Sequence, residues 1–286
     1  MDETDQKVVG ILAGGGTLPG QVAAAAQAAG NSVFIVGLDG FADPNVLAPY
    51  PHTFLRLMAA TQILKTLREH GCRELVLVGP IKRPSLFDLR PDAEGARLLA
   101  RIGRAAFAGD DGLLAAVIRV LNEEGFRVVG AHEILSRAIG PSGLLSRAEP
   151  DALAMADIRR AVRVARVLGR ADVGQGCVVQ QGIVLAVEAA EGTDAMLGRC
   201  GGLALPGPGG VLVKLVKPGQ ERRADLPTVG PETVRLAGKA GLRGIAFEAG
   251  GTILAEREAM VARADEAGLF LLGLEPSFVA EEGEGG

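Results

Sequence analysis

The chain has 286 residues, 48% hydrophobic and 22% charged, with a formal net charge of −4; this is ordinary globular usage with room for one large or two medium domains. Trp is absent and Tyr50 is the single Tyr, which argues against aromatic platforms for bases, and the acidic balance argues against a nucleic-acid partner. Cys72, Cys177 and Cys200 are too scattered for a zinc spacing or a disulfide framework and read as small buried residues of a reducing compartment. Residues 1–7 are acidic and polar, unlike a signal peptide, and the apolar runs are broken well short of a membrane span. A cytoplasmic protein is expected, with a peripheral contact at the membrane surface left open.

Along the chain, Val8–Ala13 is a short apolar run that ends at three glycines and predicts a buried strand. Residues 17–29 are Ala-rich and closed by Gly30, the mark of a helix with a glycine stop. Residues 32–37 form a second β-branched run. Strand, glycine turn, helix and strand make a βαβ unit and imply a parallel sheet. Helices follow at 61–70, 93–107 and 112–124, and strands at 74–78 and 127–130. Turn residues at 139–150 read as a linker. A helix is expected from 151 to 168, stopped by Gly169, with Leu153, Ile158, Val162 and Ala165 on one face. Beyond it come strands at 178–179, 183–187, 211–216, 244–247 and 269–274, with helices at 231–240 and 256–267. The fold class is therefore α/β: an N-terminal Rossmann-like parallel-sheet domain over 1–138, a linker over 139–150, a C-terminal α/β domain over 151–278, and a disordered tail over 279–286.

Five stretches carry chemistry. In Gly14-Gly15-Gly16-Thr17-Leu18-Pro19 the glycines let a backbone approach a phosphate, and the helix start presents its N–H groups. Gly14 and Gly16 fit the first two positions of a dinucleotide fingerprint, but Pro19 occupies the third, while Asp39 stands near where a ribose-binding acid would sit. The bland reading is a tight βα turn without ligand. Asp110 and Asp111, between Gly109 and Gly112, suit either a hard cation or a helix cap, and the cap is preferred. His132, before Glu133, lacks the second His of a zinc helix and reads as a substrate contact or a structural histidine. In residues 187–194 an apolar strand runs into Glu188, Glu191, Thr193 and Asp194, at a strand-to-helix turn of the kind where α/β ligands gather. Thr193 or Asp194 also suits an N-cap, whereas Glu188 interrupts a strand end where a buried carboxylate needs a partner. Finally, Lys214, Lys217, Arg222 and Arg223 surround Asp225. Such cations neutralise phosphate oxygens, and Asp225 suits a metal ligand or a group that positions water; the alternative is a solvated loop whose charges pair locally.

In order along the chain these stretches resemble the LpxI type of UDP-2,3-diacylglucosamine pyrophosphatase, an enzyme of lipid A synthesis in Gram-negative bacteria. The matching pieces are Ile11 to Pro19, Gly109 to Gly112, Glu124 to Glu133, Asp172 to Gly176, Val184 to Leu197 and Arg223 to Gly230; the Gly- and Pro-rich segment 198–210 is not aligned. The resemblance implies a Mg²⁺-dependent hydrolysis in which water attacks the α-phosphorus next to uridine, giving UMP and 2,3-diacylglucosamine 1-phosphate (lipid X). It also implies two α/β domains with the ligand between them and a homodimer. It assigns the catalytic aspartate, which would also hold the metal, to Asp225. Glu188 and Asp194 are carried as further catalytic groups. Gly14, Gly15, Gly16, Leu18, Pro19, Asp110, Asp111, His132, Thr193, Lys214 and Thr228 are carried as substrate-binding positions. Two other readings remain: an NAD(P)-dependent oxidoreductase, for the βαβ unit, the glycines and Asp39, and a non-catalytic nucleotide-sugar-binding protein.

Overall fold

β1 (Val8–Ala13) buries Val9, Ile11 and Ala13 in this computed structural model, which describes residues 7–81, 92–102 and 110–284. The chain then reaches α1 (Leu18–Ala28), whose Pro19, Val22, Ala23 and Ala26 repeat at three and four residues and face inward. Gly30, at φ +84°, ends it: Gly30 N donates to Gln27 O and Asn31 N to Ala26 O, the paired bonds that satisfy the last carbonyls of a helix. β2 (Ser32–Leu38), α2 (Pro44–Leu47), β3 (His52–Leu55), α3 (Ala60–Glu69), β4 (Cys72–Val78), α4 (Ala93–Ile102), α5 (Asp110–Glu123), β5 (Arg127–Val128) and α6 (Ala131–Ile134) complete this part. The sheet order is β3-β2-β1-β4-β5, with every pairing parallel. β1 therefore has β2 on one side and β4 on the other, and Gly14 to Gly16 leave its carboxyl end at the point where the strand order reverses.

The second sheet is mixed. It draws on β6 (Gly143–Leu144), on β7 (Gly176–Gln180) and β8 (Ile183–Val187), which lie between α7 (Ala152–Arg170) and α8 (Gly192–Cys200), and on β9 (Val211–Lys214). Then come β10 (Thr228–Val229), α9 (Pro231–Lys239), β11 (Gly244–Glu248), β12 (Ile253–Leu254), α10 (Arg257–Ala267), β13 (Phe270–Leu274) and α11 (Pro276–Glu284). The order is β6-β13-β11-β9-β7-β8, while β10 and β12 pair separately. β9, β11 and β13 are parallel, and β6, β7 and β8 run antiparallel to their neighbours. Alternation along the strands sends Val178, Leu212, Ile245 and Leu271 to one face, against α8, α9 and α10. It sends Cys177, Val211, Val213 and Ala246 to the other, against α7 and Val279 of α11.

The chain divides into one unit of Met1–Ser136 with Glu221–Asp225, and another of Arg137–Gln220 with Leu226–Gly286. Three expectations change. The segment read as a linker is built into the second unit: Ile139 bridges Ile253 of β12, β6 pairs with β13, and the Ser146 hydroxyl accepts from Leu271 N at 2.7 Å. Its turn residues make corners inside a domain rather than a tether. The tail is helical through Glu284, because Val279 is buried and Glu282 pairs with Arg159 and Arg163 of α7. Gly169 does not stop α7, which runs to Arg170; a Cβ there would sit 3.0 Å from Pro218 Cδ, so its glycine serves close packing.

One buried carboxylate has a purely structural task. Asp157, 2% exposed, accepts from Gly182 N at 2.7 Å and from Gln181 N at 3.0 Å, and so holds the β7–β8 turn, where Gln181 and Gly182 have φ +52° and +79°. Asp157→Ala strands two N–H groups and should cost about 2–4 kcal/mol of stability, read as a lowered denaturation midpoint; a change below about 0.5 kcal/mol would contradict the assignment. Among the described residues no helix is long and apolar enough to cross a membrane.

Candidate functional site

A buried polar cluster of the second unit lies where β8 and β9 end and β7 begins. Lys214 closes β9 opposite Gly176, and Glu188 follows β8 with its N–H on Gly176 O at 2.8 Å. A Cβ on Gly176 would come 2.5 Å from Glu188 Oε2, and one on Gly174 would overlap the Glu188 carbonyl. These two glycines make the space in which the carboxylate is held. Thr193, the second residue of α8, completes the set. Lys214 Nζ donates to Thr193 Oγ1 at 2.7 Å and to Thr228 O at 3.1 Å, and Thr193 Oγ1 donates to Glu188 Oε1 at 2.9 Å. Lys214, Glu188 and Thr193 are only 6%, 7% and 8% exposed. An ammonium and a carboxylate are thus joined through one hydroxyl in a low-dielectric site, where such links are strong and broken ones costly. Glu188 Oε2 is buried with no hydrogen-bond partner.

Four sequence-predicted positions therefore meet: Glu188, Thr193, Lys214 and Thr228, the last through its carbonyl. Thr193 is not the N-cap of α8, since the helix begins at Gly192 after Glu191 and the hydroxyl is spent on Lys214 and Glu188. Asp194 is exposed on the first turn of α8 and has no bond within this cluster. It adds to the field that, chiefly through the Glu232 hydrogen bonds, holds the Arg235 guanidinium above its ordinary range. The other cations of this stretch follow the local-pairing alternative: Lys217 Nζ meets Asp172 Oδ1 at 2.7 Å. The 198–210 segment sits at the opposite end of the sheet. Gln180, near the start of β9 rather than its end, donates to Leu205 O and Pro208 O, both at 2.8 Å.

In the first unit the glycine loop differs from its expected use. Gly14 N donates to Val78 O at 2.8 Å and Gly15 N to Pro80 O at 2.9 Å, so these two amides are engaged by the chain after β4 and do not wait for a phosphate. A Cβ on Gly14 would lie 2.7 Å from the Gly79 carbonyl carbon, and one on Gly79 would lie 2.5 Å from Gly15 O. Only from Gly16, at φ +76°, does the loop turn toward the start of α1, where Leu18 is half-buried and Pro19 occupies the first turn. Asp110 and Asp111 open α5; Gly109 and the side chains of both aspartates lie outside the described residues. His132 is half-buried, its ring lies over Gly130, and its buried Nδ1 has no hydrogen-bond partner. Glu133 Oε1 accepts from Gly130 N at 2.8 Å.

Asp225 was expected in the second domain, but its segment counts with the first unit. Ala224 N and Asp225 N both donate to Glu221 O at 3.0 Å, a single turn. Ala224 packs on the core cluster that holds Leu38, Leu64 and Val128. Arg223 grips Glu221 with Nε at 2.8 Å and Nη2 at 2.7 Å. That bidentate bond lowers the Glu221 carboxyl below its usual range. It also raises the Arg223 guanidinium, to which Glu133 contributes more weakly. Sequence reasoning passed over Glu221, Gly174 and Gly176 as site residues. The visible signals were a Glu two positions before an Arg, and two glycines at i and i+2 on one face of a strand entrance.

All three cysteines are free and buried, and burial pushes the thiols of Cys72 and Cys177 up to about 11 and about 12. They are not thiolate nucleophiles at neutral pH.

Two family models match the chain: the LpxI N-terminal domain over residues 8–138 and the LpxI C-terminal domain over residues 141–272. The chain belongs to the LpxI family. A curated relative, the UDP-2,3-diacylglucosamine pyrophosphatase LpxI of Caulobacter vibrioides (strain ATCC 19089 / CIP 103742 / CB 15), is 45% identical over 274 residues, which cover 94% of this chain and 98% of the relative. A likeness of this extent favours a member of the LpxI family over the nicotinamide oxidoreductase and the sensor. For a metal, the donor set is thin: among the described residues no three His, Cys, Asp or Glu converge. That rules out an all-protein cage there. It leaves the mode usual for Mg²⁺ on phosphates, one or two carboxylates with the ligand's own oxygens and water, a mode that a single Asp225 carboxylate fits.

Proposed function

We propose that this chain hydrolyses the pyrophosphate of UDP-2,3-diacylglucosamine, releasing UMP and 2,3-diacylglucosamine 1-phosphate. The observation that carries the reading is the near end-to-end likeness, 94% of this chain and 98% of the relative, to a UDP-2,3-diacylglucosamine pyrophosphatase. A water oxygen bonds to the α-phosphorus, and the bond from that phosphorus to the bridging oxygen breaks. The electron pair leaves with the sugar-bearing phosphate, and the water proton passes to solvent or to a neighbouring carboxylate. Asp225 orients that water through its carboxylate, which the Glu221 turn and the Arg223 grip hold in place. Lys214 offsets phosphate charge with an ammonium fixed by Thr193 and Thr228. The loop from Gly16 to Pro19 supplies helix-terminus dipoles at the switch point of the first sheet. Mg²⁺, held by Asp225 and substrate oxygens, would supply further neutralisation of the pyrophosphate. We place the enzyme in the cytoplasm as a homodimer, with a peripheral contact at the inner membrane suited to a diacylated substrate.

The test is hydrolysis in ¹⁸O-water followed by mass spectrometry. Label in UMP is expected; label in lipid X would place the attack on the other phosphorus, and no cleavage of this substrate would remove the reading. In the same assay EDTA should abolish turnover and Mg²⁺ restore it, whereas turnover indifferent to chelation would take the metal out of the mechanism.

A further inference from the structure

Glu188 looks in the sequence like a second catalytic carboxylate, yet its surroundings fit another task. Oε1 is spent on the Thr193 hydroxyl. Oε2 is enclosed, 2.5 Å from where a Gly176 Cβ would stand, and has no partner. The residue as a whole is 7% exposed. Burial does not separate it from Lys214, which is 6% exposed. What differs is that one Glu188 oxygen is spent on Thr193 and the other is packed against Gly176, whereas Lys214 has three N–H groups and two bonds. The direction of the bonds is fixed by chemistry: an ammonium only donates, so Thr193 Oγ1 must accept from Lys214, and its one proton then goes to Glu188. The hydroxyl cannot rotate elsewhere without breaking one end. Of the three N–H groups of Lys214, two are accounted for by Thr193 and Thr228, which leaves one. Burying an ammonium is costly unless a nearby charge compensates it, and Glu188 supplies that charge one hydroxyl away.

We propose that Glu188 and Thr193 are positioning residues that hold the Lys214 ammonium rigid, with its remaining N–H directed at a phosphoryl oxygen of the substrate. The proposal rests on the hydrolase reading given above and deepens it. Lys214 is the group that touches the substrate; Thr193 and Glu188 act only through it. Because the ammonium is pre-oriented, its charge is worth more as negative charge gathers on the departing phosphate than in the ground state, so its loss falls on kcat rather than KM.

The experiment uses the full chain with UDP-2,3-diacylglucosamine and compares Thr193→Val, Thr193→Ser, Glu188→Gln and Lys214→Met. Thr193→Val keeps the shape of the side chain and removes the hydroxyl. It should lower kcat about 10- to 100-fold, the scale of one lost charge-assisted bond, with KM changed less than about threefold. Glu188→Gln should fall in the same direction by a smaller factor, and Thr193→Ser should recover most of the activity. The deciding variant is Lys214→Met with Thr193→Val, expected to be no slower than Lys214→Met alone, since a residue acting through Lys214 has nothing left to act on. Losses that multiply, or a Thr193→Val enzyme with wild-type kcat, would overturn the proposal. A substrate-independent readout separates it from the functional reading: in the ligand-free protein the Lys214 ammonium protons should exchange slowly by ¹⁵N NMR and become fast in Thr193→Val. Equal exchange in both would show that Thr193 does not hold the ammonium, whatever the substrate proves to be.

Discussion

Asp225→Ala should stay folded and lose about 10²- to 10⁴-fold in kcat, the range expected when a positioned proton-handling or water-orienting carboxylate is removed. The two halves of this expectation have separate causes. The backbone bond that Asp225 contributes, its N–H on Glu221 O at 3.0 Å, does not involve the side chain. The segment is anchored by Ala224 on the core and by Arg223 on Glu221, and both survive the substitution. Asp225→Asn separates charge from shape: if the carboxylate holds Mg²⁺ or orients water by accepting its proton, the amide should be nearly as slow as alanine. The check is steady-state hydrolysis alongside a thermal melt. A folded variant that turns over at the wild-type rate would move catalysis to another residue.

The sequence carried most of the long elements, though not α11, and lost most of the short ones, though not β5, for a physical reason. β1, α1, β2 and α7 span at least six residues each, enough for an alternation or a three-four repeat to show. β6, β10 and β12 have two residues each, too few to carry a period, and their pairing is decided by partners remote in the chain. The same logic divides the site. Lys214, Thr193 and Glu188 could be suspected one at a time, because a carboxylate at a strand end and a lysine after an apolar run are each unusual. Their connection could not be read, since it depends on the register that sets Gly176 opposite Lys214. The membership of Glu221–Asp225 in the first unit was hidden for a like reason. A short polar stretch with one alanine gives no local sign that it packs beside the strands of the N-terminal sheet, far earlier in the chain.

Gly14→Ala should cost about 2–3 kcal/mol, toward the upper end for a buried group forced into a filled space. The added methyl meets backbone rather than a movable side chain: the Gly79 carbonyl carbon would be 2.7 Å away and the Pro80 carbonyl oxygen 2.8 Å. Relieving that contact would stretch the Gly14 N to Val78 O and Gly15 N to Pro80 O bonds that tie the loop to the end of β4. For a chain of this size such a loss corresponds to a melting temperature lower by roughly 4–12 °C. Gly16→Ala is the contrast. Nothing lies nearer than 3.9 Å to its added carbon, so only the left-handed backbone is penalised, at about 1–2 kcal/mol. The ordering matters for what the three glycines do. A loop kept open for a phosphate would be indifferent to a methyl at Gly14 until ligand arrived, whereas a loop packed against the Gly79 turn loses stability with no ligand present. Melting of the ligand-free variants decides between them, and a Gly14→Ala protein within about 1 °C of wild type would return Gly14 to the phosphate. The loss expected here leaves the anion-facing role to the chain from Gly16 onward, where the dipole of α1 begins.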